Sequence, residues 1–327
     1  MMSITPQYII GFILVTLIGI WYERWRKAND RREQEKTYEL VKQYLLNDSS
    51  LAASSKPLLW IHIPHEINAR HWADFYSRNN TNVNKPYLYL TIKSIVDKCG
   101  DSFNICLIND DTFDKIIPGW TIDLERTADP VKCQLRMLAL SRVLYYYGGL
   151  LVPPSLLCFN NLNDAHYNAL NYGADALVGE FVDTNVTSED VIYAPNPSLL
   201  LGCKKHSEVM KEYGEYLENL ISRDYTAQWK FMGSCSSWWT KKVNAGQAAL
   251  LGADVLGVET PTGPMTAERL LGSTFYTLAP NAVALYIPED ELSKRLNYRW
   301  FERQSPEQVL RGNYLIGMYF LSSLTSQ

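Results

Sequence analysis

The sequence predicts an α/β fold, a mainly parallel sheet flanked by helices, and three observations carry that expectation. Short hydrophobic runs at Leu58–Ile63 (LLWIHI) and Phe103–Ile108 (FNICLI) read as buried strands. Between them, Tyr87–Cys99 sets Leu88, Ile92, Ile95 and Val96 on one helical face, with Gly100 as a stop. A third unit follows at Val131–Val152, where an apolar helix runs into Gly148-Gly149 and then a short hydrophobic strand. Strands alternating with helices at this spacing favour crossover connections and hence parallel neighbours.

Composition bounds the rest. A chain of 327 residues with 46% hydrophobic content can pack one large α/β body. Its net charge of −4 gives no electrostatic basis for a nucleic-acid partner. The six cysteines (Cys99, Cys106, Cys133, Cys158, Cys203, Cys235) form no C-x-x-C pair, so they read as reduced thiols rather than a disulfide framework or a zinc site. His62 and His65 lie in an extended, proline-interrupted stretch and read as structural.

Residues 1–22 carry no charge, and Tyr8–Tyr22 is apolar apart from Thr16, which approaches the ~20 residues that cross a bilayer. Trp21, Tyr22 and Trp25 occupy the place of an interfacial aromatic belt. There is neither a basic segment before the run nor a small-residue cleavage site after it, so an uncleaved anchor, with membrane lipid as its partner, is expected over a signal peptide. The basic residues Arg24, Arg26, Lys27, Arg31, Arg32 and Lys36 follow the run, which puts the C-terminal part on the cytosolic side. Three N-x-S/T sequons (Asn47, Asn79, Asn185) point the other way, but Asn-, Ser- and Thr-rich chains produce such triplets by chance. The expected organisation is a transmembrane anchor at 1–22, a helical stalk and polar linker at 23–56, and a globular domain at 57–327.

Within that domain, Asp129-Pro130 reads as a helix start, Asp as N-cap and Pro at the first helical position. The helix Val131–Tyr147 is apolar nearly all round, so burial is expected, with Gly148 or Gly149 ending it through a left-handed turn. Glu66–Ser77 has helical spacing. Ala176–Phe181 and Val191–Ala194 read as strands, Ser207–Ser222 as an amphipathic helix, and Met265–Leu271 as a short helix. Further strands are expected at Phe275–Leu278 and Ala284–Ile287. Trp238-Trp239, in the stretch SCSSWW, reads as core.

The segments YLYLTIKSIVDKCGD, CLINDDTF and LYYYGG, in that order over Leu58–Asn160, resemble glycosyltransferases of the mannosyltransferase and capsular-polysaccharide-synthesis kind. The chain is also similar to uncharacterised membrane-anchored proteins of large DNA viruses. The first resemblance implies a GT-A-like fold, a nucleotide-sugar donor and a glycan acceptor. It also implies an Asp-x-Asp after the Gly-Gly strand, whose carboxylates hold a divalent cation against the diphosphate. This chain has Pro153, Pro154 and Ser155 there, and neither proline nor serine replaces a carboxylate. The family's helix acid and Arg are likewise replaced, by Met137 and Leu140.

The remaining candidates follow from that comparison. Asp110 and Asp111 match an acidic pair and point toward a donor pocket, with an Asx-capped turn as the alternative. Arg136 and Arg142 are donor-binding candidates, since guanidinium groups neutralise phosphate without a metal; Ser155 joins them by position. Glu180 and Asp183, after the ALVGEF strand, are candidates for a catalytic base or an acceptor ligand. No metal site is expected, and the divalent metal is the doubtful part of the implied chemistry. Two functions stay open: a membrane-anchored glycosyltransferase-like enzyme, or a catalytically inactive relative that serves as a tethered binding or structural module. The inactive reading predicts a donor cleft narrowed around Val152–Ser155.

Overall fold

The computed structural model describes residues 56–64, 85–171, 173–183, 191–223 and 228–325, all within the compact unit Lys56–Gln327. The anchor and stalk segments, the helix expected at Glu66–Ser77 and the three sequons lie outside the described residues. Among the described residues, no helix is long and apolar enough to cross a membrane.

The first strand, β1 (Leu58–His62), pairs in parallel with β2 (Asn104–Ile108) on one side and β3 (Gly149–Val152) on the other. Two helices provide the crossovers: α1 (Leu88–Cys99) before β2, and after it α3 (Val131–Tyr147), preceded by the single turn α2 (Phe113–Ile116). The chain therefore leaves β1 toward one side and returns on the other. That makes β1 and β3 a switch point of the sheet, where open α/β folds leave a crevice beyond the strand carboxyl ends.

Past β3 the pattern changes. The chain adds β4 (Leu156–Cys158), α4 (Asn163–Asn171), β5 (Ala176–Val182), β6 (Tyr193–Pro195) and β7 (Leu201–Cys203). The main sheet runs in the order β2-β1-β3-β7-β5-β6, with β8 (Ala248–Leu251) pairing β5. The pairs β1/β2, β1/β3 and β5/β8 are parallel, whereas β3/β7, β5/β7 and β5/β6 are antiparallel. The sheet is thus mixed rather than mainly parallel. The physical reason is connection length: the links from Val182 to Tyr193 and from Pro195 to Leu201 are shorter than a parallel crossover needs.

Helix α5 (Glu208–Ile221) starts where Ser207 Oγ accepts from Met210 N, and it packs on α3; α6 (Gln228–Asn244) then covers β6 and β8. The hairpin β9 (Glu259–Thr260) and β10 (Gly263–Pro264) leads into α7 (Ala267–Leu271), and β11 (Ala284–Tyr286) pairs antiparallel with β4. Four short helices close the chain: α8 (Glu289–Lys294), α9 (Arg299–Glu302), α10 (Pro306–Arg311) and α11 (Leu315–Thr325).

Two apolar clusters hold these layers. One gathers Ile61, Ile95, Leu150, Val152, Leu177 and Leu256 around the sheet. The other gathers Tyr87, Leu157, Leu285, Phe301, Leu315 and Phe320 under the C-terminal helices.

Several local expectations need correction. Phe275–Leu278 is not a strand. Asp129 does not cap α3: the helix begins after Pro130 without a side-chain cap, and Asp129 Oδ1 accepts instead from Cys133 Sγ at 3.2 Å. That helix is not apolar on its buried side throughout, since Gln134, Arg136 and Ser141 are buried while Leu135, Met137 and Leu140 are half-buried. Its stop is the expected one. Gly148 has φ +71° and donates its N–H to Leu144 O at 2.7 Å. At Gly149 (φ +101°) a Cβ would sit 2.2 Å from the Leu58 carbonyl oxygen, so the pairing of β3 with β1 requires glycine there.

Candidate functional site

The carboxyl ends of β1 and β2 carry the best-connected polar cluster at the switch point. Asn109, one residue past β2, forms a reciprocal turn with Thr112: Thr112 Oγ1 donates to Asn109 Oδ1 at 2.6 Å and accepts from Asn109 N at 3.2 Å. This turn presents Asp110 toward β1 and α3. His62, the last residue of β1, places Nε2 2.9 Å from Asp110 Oδ1 and lies on the face of Phe113 at 5.3 Å. Arg136, from α3, donates Nη2 to Asp110 Oδ2 at 2.7 Å and Nε to Oδ1 and Oδ2 at 3.0 and 3.1 Å.

The three side chains are 6–10% exposed. Burial alone would raise the Asp110 pKa, but the hydrogen bonds and electrostatics of His62 and Arg136 outweigh it and hold the carboxyl down at about 2. Asp110 is therefore an anion whose lone pairs are largely spent on two partners from its own fold. Asp111 beside it is exposed.

The segment at the end of β3 is closed. Pro153 is buried, and Ser155 is 1% exposed with its Oγ lacking a partner among the described residues. Helix α1 seals it from one side, with Thr91 Oγ1 donating to Pro154 O at 2.6 Å and Ser94 Oγ accepting from Cys158 N at 2.9 Å. From the other side, Ile287 N donates to Ser155 O at 3.1 Å. The strand-end platform is filled by protein on the β3 side.

The other candidates are placed elsewhere. Arg142 pairs with Glu218 of α5 at 2.5 Å and lies over the Trp120 ring, so it is not brought to Asp110. Glu180 Oε2 accepts from Ala253 N at 3.1 Å, and Asp183 N donates to Ile192 O at 2.7 Å. Because β5 runs parallel to β1, its carboxyl end shares the same sheet edge as Asp110. It is four strands away in the order β2-β1-β3-β7-β5, about 19 Å at ~4.8 Å per strand. Of the residues singled out in the sequence, the structure brings together Asp110 and Arg136. Sequence reasoning missed His62, although its position as the last residue of a buried strand, opposite the acidic turn, was the available signal.

The divalent cation implied by the resemblance does not fit this donor set. Among the described residues, no three His, Cys, Asp or Glu side chains converge to hold a metal ion. The residues at the Asp-x-Asp positions offer no ligand, and the one oxygen-bearing side chain there, Ser155, is buried.

No family model and no curated protein matches the chain. Among solved structures it is similar to mouse xyloside xylosyltransferase 1 (8% identity, 72% of this chain and 98% of that one, TM-score 0.42). It is also similar to a glycosyltransferase involved in glycosylation of the major capsid of PBCV-1 (8% identity, 71% and 95%, TM-score 0.36), and to the galactosyltransferase LgtC (9% identity, 70% and 86%, TM-score 0.35). Overlap at this level is no basis for transferring an activity.

Proposed function

We propose that the chain is a glycosyltransferase-like protein of the GT-A kind that has lost metal-dependent sugar transfer and serves as a binding or structural module, tethered to a membrane through residues 1–22 with the globular part on the cytosolic side. The ordered segments from YLYLTIKSIVDKCGD to LYYYGG support the ancestry. The observation that carries the loss is the sealed Pro153-Pro154-Ser155 segment, which has no carboxylate and is pinned by Thr91 and Ile287. The neighbouring anion, Asp110, is already compensated by Arg136 and His62, so it has little field left to offer a cation.

A second reading has one observation in its favour. Arg136 and His62 are cationic or hydrogen-bonding groups at the switch point, where a diphosphate would lie, and guanidinium groups can neutralise phosphate without a metal. On that reading, transfer would be metal-free.

Isothermal titration of the full chain with a panel of nucleotide sugars, once with Mn²⁺ and once with EDTA, tests the proposal. Any heat of binding should be the same in the two arms. A donor affinity that rises about tenfold or more with Mn²⁺ would sink it.

A further inference from the structure

The described structure contains a cleft that shares no lining residue with the Asp110 cluster, between α5 and α6 on the β6 and β8 side of the sheet. Its floor is anchored in the core. Tyr213 and Trp239 are fully buried and pack against each other at 5.1 Å, and Tyr213 also holds Trp238 at 5.1 Å. Trp239 is therefore core, as its sequence suggests, whereas Trp238 turns outward to line the cleft. There it stacks on Tyr216 at 5.8 Å and 25°. Tyr216 is fixed in turn by donating its hydroxyl to Ser234 O at 3.2 Å. Lys242 Nζ lies over the Trp238 ring at 5.2 Å and is ion-paired with Glu212. The result is a rigid double-ring surface that needs no reorganisation to receive a flat apolar face.

The remaining walls select the ligand. The cavity is about 500 Å³, in the range of small-molecule sites. Trp229 lines it with 61% of its surface exposed, which leaves the ring accessible to a ligand. Lys230 and Lys241 line it and have no ion-pair partner among the described residues. Among the described residues the lining contains no Asp or Glu, so nothing there repels an anionic group. Aromatic faces for stacking, the Ser234 side chain, the Lys241 ammonium group and the Lys230 ammonium group, which lies over the Trp229 ring at 5.1 Å, match a pyranose that bears an anionic group.

We propose that this cleft binds an anionic saccharide, with a carboxylate or phosphate held by Lys230 and Lys241 and a sugar face stacked on Trp229 and the Tyr216–Trp238 pair. The site lies outside the strand-end cluster and goes beyond the proposed function.

The test is titration of the full chain, by intrinsic tryptophan fluorescence and calorimetry, with digalacturonate, mannose 6-phosphate, cellobiose and uridine monophosphate. Saturable binding of digalacturonate or mannose 6-phosphate is expected, at least about tenfold tighter than cellobiose, and the better of the two identifies the anionic group. Trp229→Ala and Lys241→Gln should each weaken it about tenfold with no change in melting temperature, since both side chains are exposed. Asp110→Asn should leave it unchanged, which separates a failure here from a failure of the strand-end reading. The proposal is overturned by the absence of saturable binding to both anionic sugars, by binding that survives both substitutions, or by preferential binding of uridine monophosphate.

Discussion

Substituting Arg136 by Met should destabilise the domain by about 1 kcal/mol or more at neutral pH, in a way that depends on Asp110. The Asp110 carboxyl falls from 3.8 to about 2 on folding, a shift of roughly 2 kcal/mol that His62 and Arg136 produce together against burial. The side chain is only 6% exposed, so solvent screening discounts this little. The sign is that of a depressed acid: the stabilisation is complete above the unfolded value of 3.8 and is lost as pH falls through about 2. A double-mutant cycle of Arg136→Met and Asp110→Asn, followed by denaturant unfolding, should give a coupling of about 1 kcal/mol or more at pH 7 that shrinks below about 0.5 kcal/mol at pH 2. A coupling under about 0.5 kcal/mol at pH 7, or one that does not change with pH, would refute the reasoning.

Other consequences follow from the same contacts. Ser155→Asp, which restores an acid at the lost position, should cost more than about 3 kcal/mol by thermal melting and should not create Mn²⁺ binding, because the side chain is buried without a partner. Ser155→Ala should be neutral or slightly stabilising in the same melt, since it removes a buried hydroxyl with no partner. Gly149→Ala should cost several kcal/mol, on the order of 3, because its Cβ would press on the Leu58 carbonyl; a melt within about 2 °C of the parent would contradict the positive-φ argument. Maleimide labelling followed by mass spectrometry should modify Cys133 first. Cys133 is half-buried, whereas burial raises the Cys106 and Cys235 thiols to about 12.

The sequence made the first half of the domain legible because each strand there is a continuous apolar run and each helix has a glycine stop. Leu58–Ile63, Tyr87–Cys99, Phe103–Ile108 and Val131–Tyr147 all correspond to β1, α1, β2 and α3 within a residue or so. The second half was harder. Helix α6 mixes Trp, Ser, Gly and Lys without a clean apolar stripe, so its 17 residues were not evident. The mixed sheet was hidden because strand direction depends on connections, not on the strand residues themselves.

At the candidate site, the structure shows the capped turn that the sequence offered as the alternative at Asn109–Thr112, and this turn aims the Asp110 carboxylate at Arg136. Arg142 looked equivalent to Arg136 in sequence, but six residues along the helix it meets Glu218 instead. His62 read as structural and was not linked to Asp110, because a histidine in an apolar strand gives no sign of the acid that the neighbouring strand will bring to it.

The most direct measurement is release of nucleoside diphosphate from nucleotide sugars by the full chain, followed with Mn²⁺ and with EDTA. A closed strand-end platform predicts no release above background in either arm. Steady release that requires Mn²⁺ and disappears in Asp110→Asn would contradict the account, because a metal would then be working where Pro153, Pro154 and Ser155 leave no ligand for it.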